Sequence, residues 1–126
     1  MSIKKFKEET SFENRIQNAK RLMDKYPDRI PIICGLCDKA ILEFPEYNKM
    51  KYLVPKGLTM GQFLHVIRKN IKLNSSEALY IFTENNTLCS LLPEVERVYN
   101  EFKSNDGFLY LIVAKESTFG KKMITF

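Results

Sequence analysis

Lys51-Tyr52-Leu53-Val54-Pro55-Lys56-Gly57-Leu58-Thr59-Met60-Gly61-Gln62-Phe63 contains the change of period that decides the fold. Its first five residues read as a strand closed by Pro55, with a turn at Lys56-Gly57. Thr59 then stands three residues ahead of Gln62, the spacing of a capping box. Behind it Phe63, Val66, Ile67 and Ile71 form one apolar stripe at helical spacing, with Arg68, Lys69 and Lys72 facing outward. Strand, turn and amphipathic helix in such quick succession predict a helix laid on a sheet.

Upstream, Ser11 is placed to cap a helix starting at Phe12, with Glu13 in its first turn. Phe12, Ile16, Ala19, Leu22, Met23 and Tyr26 recur at helical spacing, so one face should lie on a core. Pro27 ends this helix. Lys4 to Glu9 predicts a shorter, weaker helix ahead of it. Arg29-Ile30-Pro31-Ile32-Ile33-Cys34 reads as a strand, and Pro31, which cannot donate to a ladder, predicts an edge or a bulge. Residues 35–50 have no clean period and contain Pro45, so they read mostly as loop.

Downstream, Ala78-Leu79-Tyr80-Ile81-Phe82 predicts a third strand, and Glu84-Asn85-Asn86-Thr87 a turn before a short strand at Leu88. Residues 90–102 carry Val95, Val98, Tyr99 and Phe102 at helical spacing, with Pro93 acceptable in the first turn. After a turn at Ser104-Asn105-Asp106-Gly107, the uninterrupted run Phe108-Leu109-Tyr110-Leu111-Ile112-Val113-Ala114 reads as a buried strand. The order of elements predicts an α+β chain with the ubiquitin-like β-grasp and two additional N-terminal helices.

At 126 residues the chain is long enough for one domain with a real core. No apolar run approaches the ~20 residues that span a bilayer. The first residues lack the apolar core of a secretory signal, so a cytoplasmic location is expected. The net charge of +5 suits an acidic partner or anionic surface. Because the basic residues are interspersed with acids and form no long block, nucleic acid is not an expected partner.

Cys34-Gly35-Leu36-Cys37 has the spacing of a redox pair or half a zinc site. Zinc would need two further ligands, and only Cys89 and His65 remain, so no metal is expected. Free cysteines are also common as small buried hydrophobes. His65 stands without a partner motif. No Gly-rich phosphate loop, paired carboxylates or nucleophile with its base is visible, so neither a cofactor nor catalysis is expected. The chain reads as something bound and acted upon.

Past Ala114 the chain turns polar and reaches Glu116-Ser117-Thr118-Phe119-Gly120, followed by Lys121-Lys122-Met123-Ile124-Thr125-Phe126. A glycine in an exposed tail is open to close approach by another active site. The tail thus reads either as a processing site or as an ordinary frayed end.

The sequence resembles the ubiquitin-like autophagy modifiers, the family that includes the GABARAP proteins and microtubule-associated light chain three. The shared residues include Phe12-Glu13, Arg15, Tyr26-Pro27-Asp28-Arg29-Ile30-Pro31, Lys51-Tyr52-Leu53-Val54-Pro55, Asp106-Gly107-Phe108-Leu109-Tyr110 and Glu116-Ser117-Thr118-Phe119-Gly120. The resemblance implies cleavage after Gly120 by an autophagy cysteine protease. Activating and conjugating enzymes would then carry Gly120 to phosphatidylethanolamine, giving a cytoplasmic protein that becomes autophagosomal once lipidated. It implies three regions: a helical extension (1–27), the β-grasp domain (28–119), and the conjugation glycine with its cleavable tail (120–126).

The resemblance also implies a groove for cargo receptors bearing an aromatic-x-x-aliphatic motif. Its first pocket falls on Leu22, Pro31, Ile33, Lys51, Leu53 and Phe108. The second falls on Tyr52, Val54, Pro55, Leu58, Phe63 and Val66, with Arg29 and Lys51 as a charged rim. An extended peptide adding to the edge of the strand from Lys51 to Pro55 suits this mode. Tyr52 and Val54 share one strand face and Leu53 the other, so one set can be core and the other groove, with some assignments open at this point. The chain departs from the family at Asn18, where an acidic residue is common, at Asn70, often arginine, and in the segment 35–47. It also lacks the prolines usual after Thr87-Leu88. These departures bear on partner choice. Two other readings compete: a β-grasp trafficking adaptor that binds such peptides without conjugation, and a small redox protein using Cys34 and Cys37.

Overall fold

A computed structural model describes residues 2–37, 49–74 and 76–115. In chain order the elements are α1 (Ile3–Glu9), α2 (Phe12–Lys25), β1 (Arg29–Leu36), β2 (Lys51–Pro55), α3 (Met60–Ile71), β3 (Tyr80–Thr83), α4 (Val95–Phe102) and β4 (Leu109–Ala114). The strands form one mixed sheet in the order β2-β1-β4-β3. β1 runs antiparallel to β2 and parallel to β4, and β4 runs antiparallel to β3. This is the expected ubiquitin-like fold with two helices in front of it.

Alternation along the two central strands feeds two apolar clusters. Ile32, Cys34, Leu109, Leu111 and Val113 enter one with Phe63 and Ile67 of α3 and Val95 and Val98 of α4. Ile33, Phe108 and Tyr110 enter the other with Ile3 and Phe6 of α1 and Ala19 of α2. Both sheet faces are therefore covered, which is why β1 and β4 read as near-continuous apolar runs.

The caps form as the sequence predicts. Asn14 N–H donates to Ser11 Oγ, and Thr59 and Gln62 exchange both bonds of the capping box. Several details differ. Val66 is 39% exposed, and Leu64 at 8% joins Met60, Phe63, Ile67 and Ile71 on the buried stripe of α3. On α2 only Ala19 is fully buried; Leu22 and Met23 pack partly, while Phe12, Ile16 and Tyr26 are exposed. That helix meets the sheet through its middle, where a small residue permits close approach.

Pro31 lies in a central strand, not at an edge. Cys34 N–H donates to Met50 O, so even-numbered residues of β1 turn their amides toward β2. The nitrogen of Pro31 faces the β4 side, where the first register pair is Ile32 with Leu109. Pro31 thus sits just before that ladder begins and deprives it of nothing. At Leu88 there is a single bridge to Phe82 in place of a short strand. The helix expected over 90–102 begins only at Val95. The preceding residues serve α3 instead, because Met60 N–H donates to Pro93 O and Gly61 N–H to Leu91 O, satisfying its first-turn amides.

The turn before β4 is tight. Gly107 has φ +94°, its N–H donates to Ser104 O, and a Cβ there would lie 3.0 Å from Ala19 Cβ. Tyr99 Oη donates to Gly107 O at 2.7 Å. Gly107→Ala is expected to lower unfolding free energy by about 1–3 kcal/mol through left-handed strain and the clash with α2. Urea denaturation measures this, and an unchanged midpoint would contradict the packing described.

Candidate functional site

β2 is an edge strand, and its alternation gives it two uses. The register pairs Ile32 with Tyr52 and Ile30 with Val54, in phase with the Cys34–Met50 bond. Lys51 and Leu53 therefore turn their backbone N–H and C=O toward the free edge. Tyr52 and Val54 send their side chains into the α3 side core, where the Tyr52 and Phe63 rings meet edge to face at 5.2 Å. Lys51 and Leu53 send theirs to the opposite face.

On that face a cavity of about 280 Å³ opens between α1, α2, β2 and the start of β4. Leu22, Leu53, Phe108 and Phe6 give it apolar walls, and Lys51, Arg21, Asn18 and Thr10 supply the polar atoms. Among its described lining residues none is acidic. Lys51 Nζ lies 5.9 Å from the centre of the Phe6 ring, and Asn18 Oδ1 accepts from Arg21 Nη2 at 3.4 Å. Exposed Arg29 donates from Nη1 to Leu53 O at 3.4 Å, adding a third cation along this edge.

Of the six residues expected in a first pocket, Leu22, Lys51, Leu53 and Phe108 are brought together here. Pro31 and Ile33 are buried, Ile33 among Phe6, Met50 and Phe108 beneath the cavity. Phe6, Thr10, Asn18, Arg21, Ile32 and Tyr52 join the lining from outside the expected six, Tyr52 having been expected in the second pocket. Phe6 stands on α1 at helical spacing from Ile3, an apolar pair that signals burial but not what it is buried against.

The second expected pocket divides between core and surface. Phe63 is fully buried, Tyr52 and Val54 nearly so, and Leu58 packs partly against the same cluster. Pro55 and Val66 are exposed. Asn70 donates from Nδ2 to Tyr52 Oη at 3.1 Å. Gly120, Phe119 and the tail to Phe126 lie outside the described residues, as do residues 38–48 of the segment read as loop.

A larger cavity, about 470 Å³, opens on the far side of the sheet between α4 and the β3–α4 connection, lined by Leu88, Leu92, Val98 and Phe102 among others. It adjoins no free β2 backbone. The smaller cavity couples apolar depth and a cationic rim with the open edge of β2, and is the better place for an extended peptide.

A family model described as "Autophagy protein Atg8 ubiquitin like" matches residues 14–120. The chain is 47% identical over 116 residues to Autophagy-related protein 8 of Mycosarcoma maydis, covering 92% of this chain and 96% of that one. It is 45% identical over 123 residues to Autophagy-related protein 8e of Arabidopsis thaliana, covering 94% and 95%. Among solved structures, Trypanosoma brucei ATG8 is 34% identical with a TM-score of 0.78, covering 91% and 97% of the two chains. Plasmodium falciparum Atg8 in complex with a Plasmodium falciparum Atg3 peptide is 28% identical with a TM-score of 0.79, covering 89% and 96%.

The cysteines occupy the other side of the sheet. Cys34 and Cys37 are both buried, and Cys34 belongs to the α3 side core. Burial pushes the Cys34 thiol far up, and the nearby Cys89 adds to the shift. Burial pushes Cys89 up to about 11. At pH 8 a thiol with that value is thiolate in only roughly one molecule in a thousand. Native protein is expected to label with a thiol-directed disulfide reagent at Cys34 and Cys89 at least about 100-fold more slowly than urea-unfolded protein. Rapid native labelling of Cys34 would revive the redox alternative.

Proposed function

The chain belongs to the Atg8 ubiquitin-like family of autophagy proteins, and on that premise we propose that it is a membrane-conjugated modifier, processed after Gly120, that gathers cargo receptors at the free edge of β2. The observation that carries this reading is the juxtaposition at β2: backbone groups turned to the open edge, where the Leu53 carbonyl meets Arg29, and an apolar, cation-rimmed cavity served by the same two residues, Lys51 and Leu53. The family match, which runs through residue 120, supports Gly120 as the point of attachment.

In this proposal an autophagy cysteine protease hydrolyses the peptide bond after Gly120, leaving its carboxylate as the new terminus. With ATP as co-reactant, an activating enzyme joins that carboxylate to AMP, releasing pyrophosphate; its thiol displaces AMP to form a thioester, which a conjugating enzyme's thiol takes over by exchange. The amine of phosphatidylethanolamine attacks the thioester carbonyl, an amide forms, and the enzyme's thiol departs. No glycine side chain obstructs either approach. Among the described residues no helix is long and apolar enough to cross a membrane. Two acyl chains on Gly120 supply the anchor instead, because each buried methylene contributes about 0.8 kcal/mol and two chains hold where one is marginal. Exposed Lys4 and Lys5 on α1 add basic charge for anionic headgroups.

A receptor peptide adds to β2 by exchanging backbone hydrogen bonds with Lys51 and Leu53, its aromatic residue entering the cavity walled by Leu22, Leu53 and Phe108. Three residues on, its aliphatic side chain meets the surface of Pro55, Leu58 and Val66 over the buried Tyr52, Val54 and Phe63. Acidic flanks meet Arg29 and Lys51. The Plasmodium falciparum relative's Atg3 peptide supports a segment of the conjugating enzyme as another occupant.

Full-length protein incubated with a lysate of its own cells is expected to lose the mass of residues 121–126 and then gain that of a phospholipid. Gly120→Ala is expected to abolish the second change; retained lipidation in that variant would sink the assignment of Gly120. A mass that never changes, beside a cleaved family member as control, would leave the non-conjugated peptide-binding adaptor. Leu53→Asp is expected to weaken an aromatic-x-x-aliphatic peptide by about 30-fold or more in calorimetry, the scale of an anchor contact.

A further inference from the structure

We propose that Arg15 and Asp106 are positioning residues for the aromatic pocket: neither lines the cavity, yet together they fasten the three segments whose side chains form its walls. This inference rests on the peptide-groove reading and adds to it the device that sets the pocket's width.

Asp106 is fully buried as a side chain, and Arg15 is exposed by only 11%. Arg15 Nε donates to Asp106 Oδ2 at 2.9 Å. The same guanidinium donates from Nη1 to Lys7 O at 3.1 Å and also to Thr10 O. Those two carbonyls belong to the last turn of α1 and the residue just after it. On the other side, Asp106 Oδ1 accepts from the N–H of Phe108 at 2.9 Å, and Oδ2 also accepts from Tyr110 Oη. One ion pair thus joins α2, the end of α1 and the first residues of β4.

Each of these segments contributes a wall. α1 carries Phe6, α2 carries Leu22, and Phe108 directly precedes β4. Phe6 and Phe108 meet edge to face, with centroids 6.5 Å apart. α1 has only seven residues, too few to hold its place by helical stability alone. The planar fork of Arg15 can reach a carboxylate and two carbonyls at once, which a lysine amine at the same site cannot do with equal geometry. Charge by itself would not fix Phe6; the fork does.

The test separates positioning from mere stability by asking what the aromatic side chain of a peptide contributes. A synthetic aromatic-x-x-aliphatic peptide and its aromatic→Ala counterpart are titrated into full-length wild type, Arg15→Lys, Arg15→Ala, Asp106→Asn and Tyr110→Phe, with circular dichroism reporting the fold. Wild type is expected to prefer the aromatic peptide by about 30-fold or more, the scale of a buried anchor. Folded Arg15→Ala and Asp106→Asn are expected to reduce that preference to less than about 5-fold, leaving affinity for the alanine peptide within about 3-fold of wild type, the pattern of a lost pairwise coupling. Arg15→Lys should fall between, because it keeps the charge and loses the fork. Tyr110→Phe, which keeps the ring and the ion pair, should retain most of the preference.

Where Arg15→Ala or Asp106→Asn fails to fold, the comparison of Arg15→Lys with Tyr110→Phe decides. An undiminished preference in folded Arg15→Lys overturns the proposal while leaving the groove reading intact. Wild type that binds both peptides equally overturns the groove reading, and this inference with it.

Discussion

β1 and β4 lie side by side in the middle of the sheet, parallel, with successive side chains committed to opposite faces. That constraint requires a helical layer on each side. Ile32, Cys34, Leu109 and Leu111 need α3 and α4, whereas Ile33, Phe108 and Tyr110 need α1 and α2. Leaving the second face open would expose three large side chains, each stabilising by roughly 1.5–3 kcal/mol when buried. The N-terminal helices are thus part of what makes the central strands tolerable in water. Gly107 shows how close that packing is, since a Cβ there would meet the buried Ala19 Cβ at 3.0 Å.

Of the sheet's two edge strands, β3 is bridged by the residues around Leu88, whereas the β2 edge lies open where the α1–α2 cover gives way to a cavity. A free edge is a template for pairing with another chain. Here the hazard is limited by length and charge: β2 has five residues, closed by Pro55, with Lys51 at one end and Arg29 against the Leu53 carbonyl. In the proposed function, the same features that discourage indiscriminate pairing favour an acidic, aromatic-bearing peptide, so that protection and recognition would share one set of residues.

Charge around the cavity is one-sided. Arg21 and Lys51 line it and Arg29 stands beside it, while Asn18 contributes a neutral amide. The described polar groups of the lining are therefore donors or neutral, which raises the weight of anionic residues in any peptide that enters. Nearby, Arg15 is spent internally on Asp106, Lys7 and Thr10. A buried pair of this kind is weak evidence of stability and better evidence of a specified geometry, here the seat of α1 on the sheet.

Much was legible in the residues alone. Ser11 and Thr59 with Gln62 marked helix starts because a side-chain oxygen at that spacing satisfies an otherwise unpaired amide, a local matter that needs no tertiary contact. The apolar runs through β1 and β4, the turn at Ser104 to Gly107 and the order of elements led to the fold. The opposed faces of Tyr52, Leu53 and Val54 followed from the period of a strand. What the residues could not decide was which face met which layer. The choice of Leu64 over Val66 on α3, the interior place of Pro31, the late start of α4 and the joining of Phe6 to the cavity all depend on contacts distant in sequence. Local period gives a side chain its direction, whereas burial depends on what the rest of the chain brings to that side, and only the packed sheet and its two helical layers settle that.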